Sequence, residues 1–516
     1  MVQGNSRTAN FSRNAAVAAI AELTTMLLSF LVRVFFVRCL NAEYLGINGL
    51  FSNILTILSL AELGAGTAIV YSMYKPLAEN DREKIKSLTA LYKKLYITIG
   101  CSVLILGLSF IPILDFFIKE RPSIPYSELI TIYILTVVQT ASSYFFSYRY
   151  SIFRANQQGY IVQSVTIVAS VVRSLLQIAI LVLFRNYIVY LVVGIIVTLA
   201  SNFYLTNKAD RAYPYLREKA EKLDSESLGK IKKNIFAMLL YRLGIVTATT
   251  IDTLLISKLF GVIQVGIYSN YHLIISYSDK LFTSVLGTIT PSLGNLMVTA
   301  DDEKKMQVFS AIQLVYYWLA TYLAVGMIVC FNRFIELVFG KEYLFDLPMV
   351  IALISSITLT NFQRPCSLVR DATGLFWYGK LRPLAMAALN IFFSIIAAHL
   401  WGAIGVVIGT SLSKLFTYVW YDPYIVFKYS LKGSLKKYFW TYFLHWVLLA
   451  FLSLMCLSIC RGIQITGWAG FFLDAIIVTL IVNGAFFLIY YKRERWNYLA
   501  GIAKPILQRH FKGNGK

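Results

Sequence analysis

Among the ionisable residues within stretches apolar enough to cross a bilayer, eight stand out: Glu22, Arg33, Glu62, Arg173, Arg242, Asp252, Asp279 and Lys280. A charge at mid-bilayer on a lipid-facing helix costs roughly 2.5–3.5 kcal/mol on insertion scales, so such residues turn to a bundle interior or a wet cavity. Arg33, Arg173, Arg242 and Lys280 would supply a positive field there, and arginine presents paired donors that suit a diphosphate. Glu22, Glu62, Asp252 and Asp279 would balance that field, close gates by pairing, or bind H⁺ or Na⁺; residue type does not separate these roles. The competing reading is a set of buried structural ion pairs. Glu22 and Arg33 are 11 residues apart, about three helical turns, and share a face. Asp279 and Lys280 are sequence neighbours pointing in different directions, so they are not simply each other's partner. Arg38 and Lys258 end their spans and read as cations snorkelling to the interface.

The elements that carry these charges follow from composition. The chain has 516 residues, 58% apolar and 14% charged, with a mean hydropathy of +0.65. That is too few charges to clothe several soluble domains. Long apolar runs such as 129–148 and 188–205 recur. Backbone groups in lipid must be satisfied within the segment, so these runs are helices. The fold expected is all-α and integral to the membrane, with about fourteen transmembrane helices. The predicted spans are 15–39, 47–72, 92–114, 128–150, 161–184, 187–206, 234–258, 264–290, 307–331, 347–368, 383–401, 402–424, 438–460 and 467–491. Only short connections separate the spans that adjoin near 185 and 401.

Orientation follows from charge. With the N-terminus placed inside, the inner connections carry 35 Lys and Arg against 6 in the outer ones. Both termini are therefore expected in the cytoplasm. The net charge of +22 is mostly this signal and suits contact with anionic lipid head groups. Nucleic-acid binding is a poor reading, because the basic residues are spread over many short loops. The N-terminal polar stretch leads into a span too long for a signal peptide. Six scattered cysteines and four dispersed histidines show no metal spacing. His272, His399 and His445 read as packing residues. Asp474, in the last span, serves either an accessory groove or local folding.

A repeat runs through the chain at an offset of 220 residues. VRCLNAEYLGINGL at 37–50 is matched by SKLFGVIQVGIYSN at 257–270, each carrying a Gly-Ile pair. Asp81, Glu83 and Lys84 match Asp301, Glu303 and Lys304, and Tyr96 matches Tyr316. Arg154-Ala155 is weakly echoed by Arg370-Asp371-Ala372. The offset spans six helices, an even number, so the copies enter the membrane in the same direction, as parallel repeats do. The organisation expected is an N-lobe at 1–206, a cytoplasmic linker at 207–233, a C-lobe at 234–437, two further helices at 438–491 and a basic cytoplasmic tail at 492–516. Each lobe has six helices. Glu22 and Arg242 stand at equivalent positions and would pair across a central cleft as a gate.

With its motifs laid out, the chain resembles the polysaccharide-type flippases, the Wzx-like flippases of lipid-linked oligosaccharides in bacterial membranes. Their superfamily also holds multidrug and toxic-compound exporters and lipid II flippases. The resemblance lies in YLGINGLFSNILTILSLAELGAG at 44–66, VGIYSNYHLI at 265–274 and the basic loop YKPLAENDREKIKSL at 74–88, and it covers essentially the whole chain. It implies export of undecaprenyl-diphosphate-linked repeat units across the bacterial cytoplasmic membrane for capsule, exopolysaccharide or O-antigen-like polymers. It implies no enzyme activity, no cofactor beyond H⁺ or Na⁺ coupling, and membrane lipids and a polysaccharide polymerase as partners. It also implies that the two extra helices help form a groove for the lipid tail.

Two alternatives stay open. An ion-coupled multidrug exporter of the same fold would favour an acidic, cation-binding cavity. A membrane polysaccharide polymerase or glycosyltransferase would need catalytic groups on a sizeable outer loop, and the longest one, near 332–346, has no paired-Asp or His-rich motif. No nucleotide-binding glycine-rich loop is present.

Overall fold

A computed structural model describes residues 2–59, 62–221, 223–287, 289–375, 377–463, 465–499 and 501; some side chains within helices, Arg242 among them, lie outside that description. The described residues form helices and no strands, so the all-α membrane class expected from composition holds. They divide into two compact units, Met1–Ser269 and Asn270–Lys516.

Unit 1 contains α1 (Val2–Cys39), α2 (Ala42–Leu58), α3 (Glu62–Glu79), α4 (Arg82–Ser109), α5 (Tyr126–Ser142), α6 (Tyr144–Ala155), α7 (Gly159–Phe184), α8 (Tyr187–Ala212), α9 (Ser225–Phe260) and the first turns of α10 (Val262–Gly287). Unit 2 holds the rest of α10, α11 (Thr290–Thr299), α12 (Asp302–Phe339), α13 (Leu347–Ala372), α14 (Arg382–Trp401), α15 (Ala403–Lys414), α16 (Trp420–Val426), α17 (Leu435–Gly462) and α18 (Gly467–Tyr490).

Among the described residues, ten segments are long and apolar enough to cross a membrane. The other four predicted spans correspond to α2 with α3, to α9, to α10 and to α13. Both closely adjoining pairs are separate helices. Arg185, at φ 49°, ends α7, and Asn186 caps α8 by accepting from Val189 N at 3.0 Å. Gly402, at φ 67°, separates α14 from α15. Gly405 then lets the two helices touch, because a Cβ there would stand 1.9 Å from the Ala397 carbonyl oxygen. The span predicted at 402–424 is longer than expected and carries two π-helical stretches, Leu415–Val419 and Phe427–Leu431, on either side of α16.

The repeat has local physical causes. The Asp81 carboxylate accepts from Lys84 N at 2.9 Å, and the Asp301 carboxylate from Lys304 N at 2.7 Å. Each aspartate satisfies an orphan amide at the start of its helix, α4 or α12. The matched glycines mark a crossing within unit 1. A Cβ on Gly46 would lie 1.8 Å from the Val262 carbonyl oxygen, and one on Gly266 would lie 2.5 Å from that of Ala42. Ala42 and Val262 are themselves repeat equivalents, so α2 and the first turns of α10 meet reciprocally.

Each unit also contains one carboxylate held between two guanidiniums. In unit 1, Asp210 on α8 takes Arg149 of α6 at 2.6 Å and Arg217 at 3.0 Å. In unit 2, the fully buried Asp422 on α16 takes Arg370 of α13 at 2.9 Å and Arg382 of α14. Gln363 and Ser367 donate to the same Asp422 oxygen as Arg370, at 2.5 and 3.0 Å. A buried carboxylate needs such company to stay charged.

Candidate functional site

A pocket of about 300 Å³ opens in unit 1 among α2, α5, α8 and α9. Asn48, Ser52 and Thr56 line it from α2, with Ser59 at the end of that helix. Their spacing of four, four and three puts them on one face. Thr136, Gln139 and Thr140 face them from α5 at the same kind of spacing, and Leu55, Leu191 and Val246 complete the wall. Thr56, Ser59, Thr136 and Thr140 donate their hydroxyl protons to main-chain carbonyls of their own helices at 2.7–2.9 Å. Their oxygens therefore remain as acceptors. Gly194 leaves room for two amides, since a Cβ there would meet the Nε2 atoms of Gln177 and Gln139 at 3.1 and 3.2 Å. The wall carries no charge, and its polar part is hydroxyl and amide set among aliphatic side chains.

Cations flank one end. Tyr187 Oη donates to Asn48 Oδ1 at 3.0 Å, and its ring packs against Phe36 and Tyr190. The charges of Arg33 and Arg173 both act on the Tyr190 phenol, and that of Arg33 also acts on Tyr187. Arg33, half-buried on α1, donates from Nη1 to Ser269 Oγ at 3.3 Å. Packing of α1 along α7 thus brings these two predicted cations to the same aromatic group.

A carboxylate marks the other end. Tyr96 Oη donates to Glu62 Oε1 at 3.2 Å, and the Tyr144 hydroxyl lies against Ser59 and Glu62. Tyr92 stacks edge-on with Tyr96 at 4.4 Å, and Tyr144 packs against Tyr96 at 5.9 Å. Gly66, one turn beyond Glu62, admits the phenols: a Cβ would stand 2.5 and 2.7 Å from the oxygens of Tyr96 and Tyr92. The AELGAG stretch therefore sets Glu62 in a cage of three tyrosines.

The remaining predicted residues are dispersed. Asp252 is buried in α9 within electrostatic reach of Tyr268. Glu22 is exposed on α1, and the Arg242 side chain is outside the described residues. In unit 2, Asp279 binds Arg364, whose Nη2 reaches both carboxylate oxygens at 2.7 and 2.8 Å. Lys280, its sequence neighbour, is exposed. Asp474 is buried against Arg333 at 2.5 Å, which accounts for that charge as a tie between α18 and α12. His445 is a satisfied packing residue, with Nδ1 donating to the Thr441 carbonyl at 2.7 Å and Nε2 accepting from Tyr490 at 2.8 Å. Lys258 lies over the Phe116 ring at 4.0 Å.

Residues 11–297, more than half of the chain, match the family described as polysaccharide biosynthesis protein. The chain belongs to this family. No curated protein sequence matches it. Solved structures show that this polysaccharide biosynthesis protein shares its fold with membrane transporters. One is the lipid II flippase MurJ in an inward closed conformation, at 15% identity and a TM-score of 0.64, over 92% of this chain and 99% of that one. Another is an inward-facing multidrug resistance MATE family transporter of the MOP superfamily, at 17% identity and a TM-score of 0.61, over 79% and 98%. A mutant of the Vibrio cholerae MATE transporter VcmN is similar at 16% identity and a TM-score of 0.55, over 84% and 100%. The family resemblance read from the motifs is thereby confirmed.

Sequence reasoning from charges missed the pocket wall. Its signal was present as polar residues at helical spacing, 48–52–56–59 and 136–139–140, inside apolar spans.

Proposed function

We propose that this protein is a flippase that moves undecaprenyl-diphosphate-linked oligosaccharide repeat units across the bacterial cytoplasmic membrane, for capsule, exopolysaccharide or O-antigen-like synthesis. The observation that carries the reading is the uncharged hydroxyl- and amide-lined pocket of unit 1. Such a wall exchanges hydrogen bonds with sugar hydroxyls as water does, which removes the desolvation cost of taking a glycan through the membrane. A cation-exporting cavity would instead place carboxylates along that wall. Membership of the polysaccharide biosynthesis family and the flippase fold support the same conclusion.

The parts divide by chemistry. The polyprenyl chain stays in the bilayer, where it costs nothing to keep. The diphosphate is met by the guanidiniums of Arg33 and Arg173, with Arg242 and Lys280 extending the positive field. The sugars occupy the polar pocket. Glu62, in its tyrosine cage, and Asp252 take up H⁺ or Na⁺ as the coupling ion in this reading. Asp279, held by Arg364, sets the position of that arginine. Alternating access moves the two lobes about the bound substrate, and Glu22 pairs with Arg242 to close the cytoplasmic side. Both termini face the cytoplasm, and a polysaccharide polymerase takes the product at the outer face.

Proteoliposomes containing the purified protein and a lipid-linked oligosaccharide test this reading directly. Exposure of the glycan to an external glycosidase or lectin should rise with protein content. No rise, together with drug efflux from the same vesicles, would leave the multidrug exporter instead. Exchanging the charges of Glu22 and Arg242 should preserve flipping where each single reversal abolishes it.

A further inference from the structure

A second polar pocket lies in unit 2, well away in sequence from the residues of the transport pocket. It occupies about 290 Å³ between the first turns of α12, the start of α17 and the segment after α18. Ser310 and Gln313 line it from α12, Ser434, Lys437 and Thr441 from α17, and Arg495 from beyond α18. The orientation expected from loop charge assigns these helix ends to the cytoplasmic face, where lipid head groups lie.

The pocket is pre-formed by its loop. Lys432, at φ 44°, ends the π-helical stretch after α16, and its ammonium binds Asp302 at 3.0 Å. Gly433 follows, pressed so close that a Cβ would lie 1.9 Å from the Met306 methyl and 3.1 Å from the Phe427 ring. Ser434 then caps α17 by accepting from Lys437 N at 3.3 Å. The chain is thus tied to α12 immediately before it presents Lys437.

The electrostatics are unbalanced. Among the described residues, neither Lys437 nor Arg495 has a carboxylate within ion-pair distance, and the nearby Asp302 is occupied by Lys432 and Lys305. Two like charges on one concave wall repel each other until an anion joins them. The hydroxyls of Ser310, Ser434 and Thr441 add hydrogen-bonding oxygens around the same space. Basic pockets between membrane helices at the head-group level suit phosphate-bearing lipids, and a volume at the small end of ligand sites fits a head group rather than a whole lipid.

We propose that this pocket binds the phosphate of an anionic phospholipid head group, joining α17 and the segment after α18 to α12. The site is separate from substrate transport and does not depend on the flippase reading.

The test uses the full chain in nanodiscs. Phosphatidylglycerol should raise the thermal midpoint relative to phosphatidylcholine alone, and native mass spectrometry should show retained anionic lipid. The Lys437→Gln/Arg495→Gln double variant should bind that lipid at least about tenfold more weakly, while Lys437→Arg/Arg495→Lys should restore binding. Millimolar inorganic phosphate that stabilises the protein and displaces the lipid would support the same site with free phosphate as its ligand. Equal phosphatidylglycerol retention by the wild type and the double variant, or no stabilisation by either probe, would overturn the proposal. Should the double variant fail to fold, Ser310→Trp, which fills the pocket and keeps both charges, serves in the same lipid-retention measurement; unchanged retention would again overturn it.

Discussion

Gly46 and Gly266 sit back to back where α2 crosses the start of α10. A Cβ on Gly266 would stand 3.2 Å from the Gly46 amide nitrogen and 2.5 Å from the Ala42 carbonyl oxygen, while one on Gly46 would meet Val262. The repeat offset maps each of these contacts onto the other. Reciprocity of this kind is what an internal two-fold relation produces at its axis. The Gly-Ile pairs are therefore the place where two equivalent segments approach too closely for any side chain.

Gly46→Ala and Gly266→Ala should each destabilise the protein by about 1–3 kcal/mol, because the methyl group overpacks against main chain that has little room to retreat. The double variant should lose less than the sum, since one displacement relieves both clashes. Unfolding midpoints of the three variants measure this, and strict additivity would mean that the glycines do not share a crossing.

Removing hydrogen-bonding capacity from the pocket wall should slow flipping without unfolding the protein. Thr56→Val, Gln139→Leu and Ser52→Ala each forfeit a bond worth about 1 kcal/mol, so each should reduce initial rates roughly fivefold. The thermal midpoint should stay near that of the wild type. The proteoliposome assay with externally added lectin reads the rate.

Charge removal at Glu62 separates coupling from binding. Glu62→Gln retains an acceptor for the Tyr96 hydroxyl but removes the negative charge. Downhill flipping of lipid-linked glycan should persist, and stimulation by an imposed H⁺ or Na⁺ gradient should disappear. Full gradient stimulation in this variant would assign coupling to another carboxylate, with Asp252 next in order.

The two carboxylate clamps should differ in weight. Asp422→Asn removes the buried carboxylate that Arg370 and Arg382 share and leaves Arg370 only its bond to Asp371, a loss of about 3–5 kcal/mol. Asp210→Asn should cost less, because Arg217 is 62% exposed and returns to solvent. Chemical-denaturant midpoints in detergent compare the pair; equal losses would contradict the burial argument.

Much of the architecture was legible without coordinates. Apolar length located the helices, and Asp81 and Asp301, matched in the sequence only as parts of the repeat, each cap a helix because capping is a local interaction. Glu62 drew notice as a lone acid in an apolar run, and the structure sets it against the Tyr96 and Tyr144 hydroxyls. The polar pocket of unit 1 was harder to read because hydroxyls cost little inside a helix and leave only a weak break in hydropathy. Ser52 and Thr56 stand out only when the span is projected onto a helical face. Partners distant in sequence were not legible. Arg364 lies 85 residues from the Asp279 it holds, and Arg370 lies 52 from Asp422. No local spacing encodes such pairs, since tertiary packing chooses them.

The Asp422 clamp also constrains biosynthesis. Arg370 emerges from the ribosome beside Asp371, which binds it at 2.8 Å, but Arg382 emerges well ahead of Asp422. A helix carrying an uncompensated guanidinium is a poor candidate for release into lipid on its own. Cells making this protein must therefore retain α14 beside the insertion machinery until α16 arrives, and delivery of these two spans becomes a concerted event rather than a helix-by-helix one.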